Sequence, residues 1–293
     1  MARVYLIAAA VALLMAGCGS SPKQRAVTTS PASTPSPAPS PATTSKAQTR
    51  LALQADRAVR RLTALGKPVY CGGSRGNAVA LTFDDGPGAY THFALKRLRR
   101  NSMRATFFIV SRNLPLYGSL IAREEPFGEI ADHTRTHPNL PSLAPAAQLD
   151  EIAGAQAAIA AAAHRPVRVF RPPYGSRNPG IDAIARAHGL LEVLWNVDSA
   201  DSLGANYAQI FKNVTAGLHP GSIILMHENR GQTIRALPPI LHALHRRHLR
   251  AVTIPELMAI DPPSPGQLAK GLNGCPHYAE VGDLLTSGSA GPT

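Results

Sequence analysis

The sequence predicts an α/β fold, a (β/α) barrel of about seven parallel strands, on three observations. Short β-branched or apolar runs alternate with helix-period segments about seven times across residues 79–254. Such alternation implies parallel strands joined by right-handed crossovers. Four polar clusters (Asp84-Asp85, His133 with His137, Arg171 before Pro172-Pro173-Tyr174, and His227) each fall where a strand should end. Barrels and open α/β sheets both build their sites at the C-terminal ends of strands. Bringing so many strand ends to one point is easier in a closed sheet than in a doubly wound open one.

The first elements of the chain are not globular. Residues 1–17 read as a secretory leader, with Arg3 as the positive charge, an apolar run over residues 4–15, and small Ala16-Gly17 before Cys18. The run is shorter than the ~20 residues a membrane-spanning helix needs. Leu14-Met15-Ala16-Gly17-Cys18 resembles a bacterial lipobox. That resemblance implies lipidation of Cys18 and an exported lipoprotein held at the extracytoplasmic face of the cell membrane. Residues 20–49 are rich in Ser, Thr, Pro and Ala; they cannot bury enough surface to fold and predict a semi-extended tether. A short arginine-bearing helix follows over residues 51–65. Tether and helix together occupy 18–67, the compact domain 68–262, and a Gly/Pro/Ser-rich tail 263–293.

Within the domain, residues 79–83 form a β-branched strand stopped by Gly86-Pro87. Helix is expected over 92–100, strand over 105–110, helix over 116–124 and strand over 128–132. A long alanine-rich helix covers 145–163 and a strand 167–171. Asn178-Pro179 supplies an N-cap and a first-turn proline for a helix ending near His188-Gly189. Strand follows over 191–197, helix over 205–217 and strand over 222–226. A helix over 234–248, interrupted or delayed by Pro238-Pro239, precedes the last strand at 251–254.

The formal charge is +12, mostly from arginine, and suits attraction to anionic wall polymers or lipid headgroups. The leader removes the chain from the cytosol, which excludes nucleic acid as a partner. Of three cysteines, Cys18 belongs to the leader signal. Cys71 and Cys275 remain, an even pair that in an exported protein points to a disulfide.

The clusters have the chemistry of metal-assisted hydrolysis. Two histidines four residues apart plus one carboxylate make a three-ligand zinc site with open positions, provided the segment from His133 to His137 makes a helical turn. Both aspartates of the pair reach one site only if the chain turns there, because strand neighbours point to opposite faces. Val169 and Arg171 share a parity, so Arg171 points inward and needs a carboxylate, with Asp84 the candidate. His227 tops the face carrying Ile223 and Leu225, and Asp198 at the preceding strand end can orient it. His242, His245 and His248 fit an exposed amphipathic helix better than a second metal site. No serine or cysteine fits as a nucleophile.

Together TFDDGP, HTRTHP, RPPYG and ILMHE, in this order and spacing over residues 79–260, resemble the polysaccharide deacetylases, the NodB-homology carbohydrate esterases of family 4. The resemblance implies a distorted (β/α) barrel and one divalent metal, zinc by default with cobalt able to serve. It implies Asp84 as general base, Asp85, His133 and His137 as metal ligands, and Arg171 as the group holding Asp84 ionised. It further implies the Tyr174 backbone N–H as oxyanion donor, His227 as general acid, and Pro172, Trp195 and Leu225 as pocket walls. Asp198 is preferred over Asp201 as the partner of His227. The chain departs from the family pattern at Ser202, where tryptophan is expected, and at Glu228, where aspartate is commoner. The expected activity is N-deacetylation of an acetylated polysaccharide, foremost peptidoglycan. O-deacetylation, as of acetylxylan, and a non-catalytic wall-binding lipoprotein are the alternatives.

Overall fold

The structure, a computed structural model, describes residues 46–276. The leader, Cys18, most of the tether and the end of the tail lie outside the described residues. In chain order the elements are α1 (Lys46–Ala64), β1 (Ala78–Gly86), α2 (Thr91–Arg100), β2 (Ala105–Ile109), α3 (Leu114–Tyr117), α4 (Ile121–Glu124) and β3 (Gly128–Asp132). Next come α5 (Pro145–Leu149), α6 (Ala155–Ala163), β4 (Val169–Phe170), α7 (Pro179–Ala187), β5 (Leu191–Glu192), β6 (Val197–Asp198) and α8 (Tyr207–Ala216). The last are β7 (Ile223–His227), α9 (Gly231–Arg246), β8 (Arg250–Val252), α10 (Ile254–Ile260) and α11 (Pro265–Lys270).

Every strand pairing is parallel, in the order β5-β4-β3-β2-β1-β7-β6, with β8 against the start of β1. The expected strand over 191–197 divides in two because it serves both edges of the sheet. Its first half pairs with β4, its last half with β7, and Val193 between them bridges Val69. The result is a curled, incompletely closed barrel, the distorted (β/α) architecture expected.

Alternation along β1 sorts two cores. Val79, Leu81 and Phe83 face the surrounding helices. Ala78 and Ala80 face the barrel interior with Phe108, Val169, Val193 and Ile223. Val59 and Leu62 of α1 and Leu257 and Met258 of α10 fill that interior. The folded unit therefore begins upstream of residue 68: α1 is a plug, not part of the tether. It also extends past 262, since α11 follows and Cys71 is disulfide-bonded to Cys275 across 204 residues.

Three helices differ from expectation. The 116–124 segment is broken into α3 and α4, with Gly118 at the break. A π-helical turn, Asp150–Gly154, interrupts the alanine-rich helix. α9 runs unbroken through Pro238 and Pro239. Both prolines are exposed, and the buried stripe of Ile234, Leu237, Ile240, Leu241 and Leu244 holds the helix in place.

Candidate active site

The site is built at the C-terminal ends of the strands, beginning with β1. Thr82 and Asp84 share the inward face, and parallel pairing sets Asp84 beside His227 of β7. Asp85 would point outward in a regular strand. It adopts a left-handed conformation, φ +68°, which turns it back toward the site. Asn113 Nδ2 donates to the backbone oxygens of Asp85 and Gly86, at 2.9 and 3.2 Å, and clamps this turn. Gly86 is required by a close approach: a Cβ there would overlap the Glu228 carboxyl, 1.5 Å from its Oε1. Glu228 is fully buried and accepts a hydrogen bond from Thr91. Burial pushes its carboxyl up to about 8, the Thr91 hydroxyl opposing and the charges of Asp85 and Asp84 adding.

His133 and His137 follow β3. No helical turn joins them; the loop is bent by left-handed Thr134 and His137. Glu151 pins it, accepting from the backbone N–H of Arg135 and Thr136. His133 Nδ1 lies 2.8 Å from the Arg171 carbonyl oxygen. A carbonyl only accepts, so Nδ1 carries the proton and Nε2 presents its lone pair. Burial lowers the His133 pKa, against the pull of Asp84 and Asp85, so the ring is neutral at pH 7.

Nε2 of His133 and Nε2 of His137 stand 3.8 and 3.3 Å from Asp85 Oδ1. All three donor atoms lie within 4.8 Å of one another. Donors sharing a tetrahedral ion at ~2.1 Å are about 3.4 Å apart. The residues present therefore fit a divalent ion such as zinc.

Arg171 is fully buried. One terminal nitrogen donates to Asp84 Oδ1 at 2.7 Å and to Thr82 Oγ1 at 2.8 Å. Nε and the other terminal nitrogen donate to the carbonyls of Val193 and Leu194, each at 3.1 Å. The guanidinium also stacks 4.1 Å above the Phe108 ring. Asp84 Oδ2 faces His133 Nε2 at 3.6 Å, so this carboxylate borders both the ion pair and the donor triad.

The partner of His227 is Asp201, which corrects the expectation of Asp198. His227 Nδ1 is 2.6 Å from Asp201 Oδ1, and the His227 backbone N–H donates to Oδ2 at 2.8 Å. Thr233 donates to the same oxygen. Left-handed Ala200 folds the chain back so that Asp201 meets the end of β7. Asp198, in register with Leu225 two residues before His227, instead accepts from Trp195 Nε1 at 3.1 Å and from Ala200 N–H at 2.7 Å. Burial alone would lower the His227 pKa. The hydrogen bond and charge of Asp201, with Asp84 and Asp85, push it up to about 9. Burial acts to raise the Asp201 carboxyl, yet the His227 and Thr233 hydrogen bonds hold it below the usual range.

Leu225 lies between Thr82 and Asp198 in the sheet. Pro172 is buried. Tyr174 sits at φ +61° with its ring edge-on to His137, centroids 4.7 Å apart, and 67% exposed. Trp195 packs beneath the same turn, where a Cβ on Gly175 would come within 3.0 Å of it. The second-line residues Asn113, Thr233 and Glu151 carry no sequence signal, because their partners are distant in the chain. The arrangement offers a donor triad, a carboxylate paired with a buried arginine, and a charged imidazole around one opening.

A family model described as polysaccharide deacetylase matches residues 72–193. The chain is 34% identical over 197 residues to a chitooligosaccharide deacetylase of Bradyrhizobium sp., covering 61% of this chain and 90% of that protein. It is 31% identical over 185 residues to a peptidoglycan-N-acetylglucosamine deacetylase of Bacillus cereus, covering 61% and 67%. A family 4 carbohydrate esterase from Streptomyces lividans, solved with acetate, superposes with a TM-score of 0.60 at 35% identity, covering 67% of this chain and 99% of that one. Fold, motif order and likeness agree: the chain belongs to the polysaccharide deacetylase family, carbohydrate esterase family 4.

Proposed function

We propose that this chain is a metal-dependent N-deacetylase of acetylated wall polysaccharide, with peptidoglycan its foremost substrate. The observation that carries the reading is the pairing of Asp84 with His227 across β1 and β7, beside the Asp85, His133 and His137 triad. An ion held by that triad, zinc or cobalt, would supply Lewis acidity at the acetyl carbonyl and lower the pKa of water. Asp84, paired with Arg171 at 2.7 Å, accepts the proton of the attacking water. The Tyr174 backbone N–H donates to the developing oxyanion. A nitrogen leaving group departs only when protonated, and His227, held in its charged form by Asp201, is the donor. Pro172, Trp195 and Leu225 wall the acetyl group.

Relatives that act on chitooligosaccharide and peptidoglycan support an N-acetyl sugar as substrate. The Cys71–Cys275 disulfide supports an oxidising compartment, in line with a leader and a lipid on Cys18 that would keep the enzyme at the membrane beside the wall. The test is acetate release from peptidoglycan, chitooligosaccharide and acetylated xylan, with and without a chelator. Chelator-sensitive release from the N-acetyl substrates is expected. Release only from xylan would make it an esterase, and none from any would make it a wall-binding protein.

A further inference from the structure

The charge of this protein is not spread evenly. Residues 86–123 hold no acidic side chain, and residues 202–255 hold one, the buried Glu228. These stretches contain α2, α8 and α9, which pack side by side. Lys96, Arg99 and Arg100 of α2 and Arg235 and Arg246 of α9 are exposed, and Arg97 is half-buried. None of the six takes part in an ion pair among the described residues. The outcome is a flank of one sign that runs the length of two helices.

That flank opens at its upper end beside the active site. α2 follows the turn that carries Asp84 and Asp85, and α9 follows His227. Between their first turns lies a shallow groove of about 500 Å³, lined by Tyr90, Phe93, Arg97, Gly231, Ile234 and Arg235. Tyr90 and Phe93 are 40% and 41% exposed, and their ring centroids lie 6.4 Å apart. Arg235 stacks over Tyr207, 4.5 Å from the ring centroid, which fixes its position. Arg97 donates to the Phe93 carbonyl, while its Nε is buried with no hydrogen-bond partner. The tip of Tyr90 packs near Gly231, four residues beyond His227.

We propose that this groove and the flank below it bind the substrate strand itself, as a glycan carrying carboxylate groups. The rings cover the apolar faces of sugar units, and Arg97 and Arg235 meet the acidic substituents. The occupant is the strand that presents the acetyl group because the groove starts at Tyr90 and Gly231, each four residues beyond a residue of the site, Gly86 and His227. A neutral oligomer would lack only the contacts to Arg97 and Arg235. The inference rests on the deacetylase reading for the identity of the strand, and its binding test does not depend on turnover.

The experiment measures sedimentation of the chain with insoluble peptidoglycan, either native or with its carboxyl groups converted to amides. Phosphatidylglycerol vesicles form a third arm. Wild type should bind native peptidoglycan, less so as salt rises. Amidation, or the Arg97→Gln/Arg235→Gln variant, should weaken binding at least about tenfold, since each removes two charge-assisted contacts. Lys96→Gln/Arg246→Gln, outside the groove lining, should weaken it less, which guards against a loss caused by net charge alone. Both variants should unfold at the wild-type urea midpoint, which separates a loss of binding from a loss of fold. Equal binding to amidated peptidoglycan, no loss in the first variant, or binding to vesicles alone would overturn the proposal. Intact binding without acetate release would instead sink only the deacetylase reading.

Discussion

His227 Nδ1 and Asp201 Oδ1 stand 2.6 Å apart, and the other oxygen of that carboxylate holds the His227 backbone N–H. One side chain thus fixes both the ring and the main chain of the expected proton donor. The consequence is an imidazolium that persists well above neutrality, with a pKa of about 9. The folded value exceeds the ordinary one of about 6.5. Stability from this pair is therefore fully present below pH 6.5 and is lost as pH rises through 9. In chelated protein, an NMR titration should place the His227 ring near 9 in wild type and move it down toward 6.5 in Asp201→Asn. A wild-type value of 6.5 would remove Asp201 from this role.

Arg171 joins Asp84 where neither touches solvent, so removing either leaves a buried charge alone. Arg171→Met should cost about 3–5 kcal/mol of stability, the usual cost of breaking a buried pair from one side. Arg171→Lys keeps the charge but not the fork that reaches Thr82, Asp84, Val193 and Leu194 at once. It should fall between wild type and Arg171→Met in urea unfolding. Equal midpoints for all three proteins would show that the pair is not needed for the fold.

Much of the fold was legible because it rests on local pattern. The Asn178 cap was correctly read, and its side chain accepts from Ile181 N–H. The ends of β2, β3 and β7 fall within one residue of expectation, since β-branched runs stop at glycine or at a polar cluster, while β1 continues three residues past Phe83 to Gly86. What escaped was decided by distant contact. The role of α1 depends on an interior that its Val59 and Leu62 fill. The division of residues 191–198 depends on β4 and β7 competing for one segment. Asp198 was preferred because it ends a strand, as a site residue should. Asp201 prevails because left-handed Ala200 reverses the chain, and alanine gives no hint of that.

Glu228 carries a pH dependence of its own. Its folded pKa, about 8, lies above that of a free glutamate. Folding therefore takes up a proton between these values, and stability declines as pH rises through that window. Glu228→Gln still accepts from Thr91 but cannot ionise. Urea midpoints at pH 6 and pH 9 should differ less in the variant than in wild type. Fully buried Glu124, also raised by burial and by Glu228, keeps some slope. An identical slope in both proteins would contradict the assignment.

Reducing the disulfide should separate stability from chemistry. Cys71 and Cys275 close a loop of 204 residues, and the bond ties the end of α11 back to the start of the barrel. Neither cysteine lies at a strand end facing the site. Cys71→Ser/Cys275→Ser should lose about 2–5 kcal/mol by constraint of the unfolded chain. Activity per folded molecule should be unchanged at temperatures where the variant is folded. A drop in turnover at full folding would mean that the bond also shapes the opening.

The last prediction concerns the donor triad and the hydrogen bond behind it. His133 offers Nε2 to an ion because Nδ1 keeps its proton and donates it in a hydrogen bond to the Arg171 carbonyl. The same residue therefore sets the tautomer of a ligand through its carbonyl and the orientation of the base through its side chain. His133→Ala removes one of three donors and should cost most of the bound zinc, measured by elemental analysis of the dialysed protein. His133→Gln tests the tautomer separately: a glutamine can offer a carbonyl oxygen to the ion or an amide N–H to Arg171, with no ring to do both in one plane. It should bind zinc more weakly than wild type, by at least about tenfold as for loss of an orienting contact. Asp84→Asn, by contrast, should keep stoichiometric zinc while losing at least ~100-fold in rate, because it retains the shape of the base and not its capacity for a proton. If His133→Ala kept a full complement of zinc, the ion would have to be held elsewhere, and the assignment of Asp85, His133 and His137 as one centre would fail.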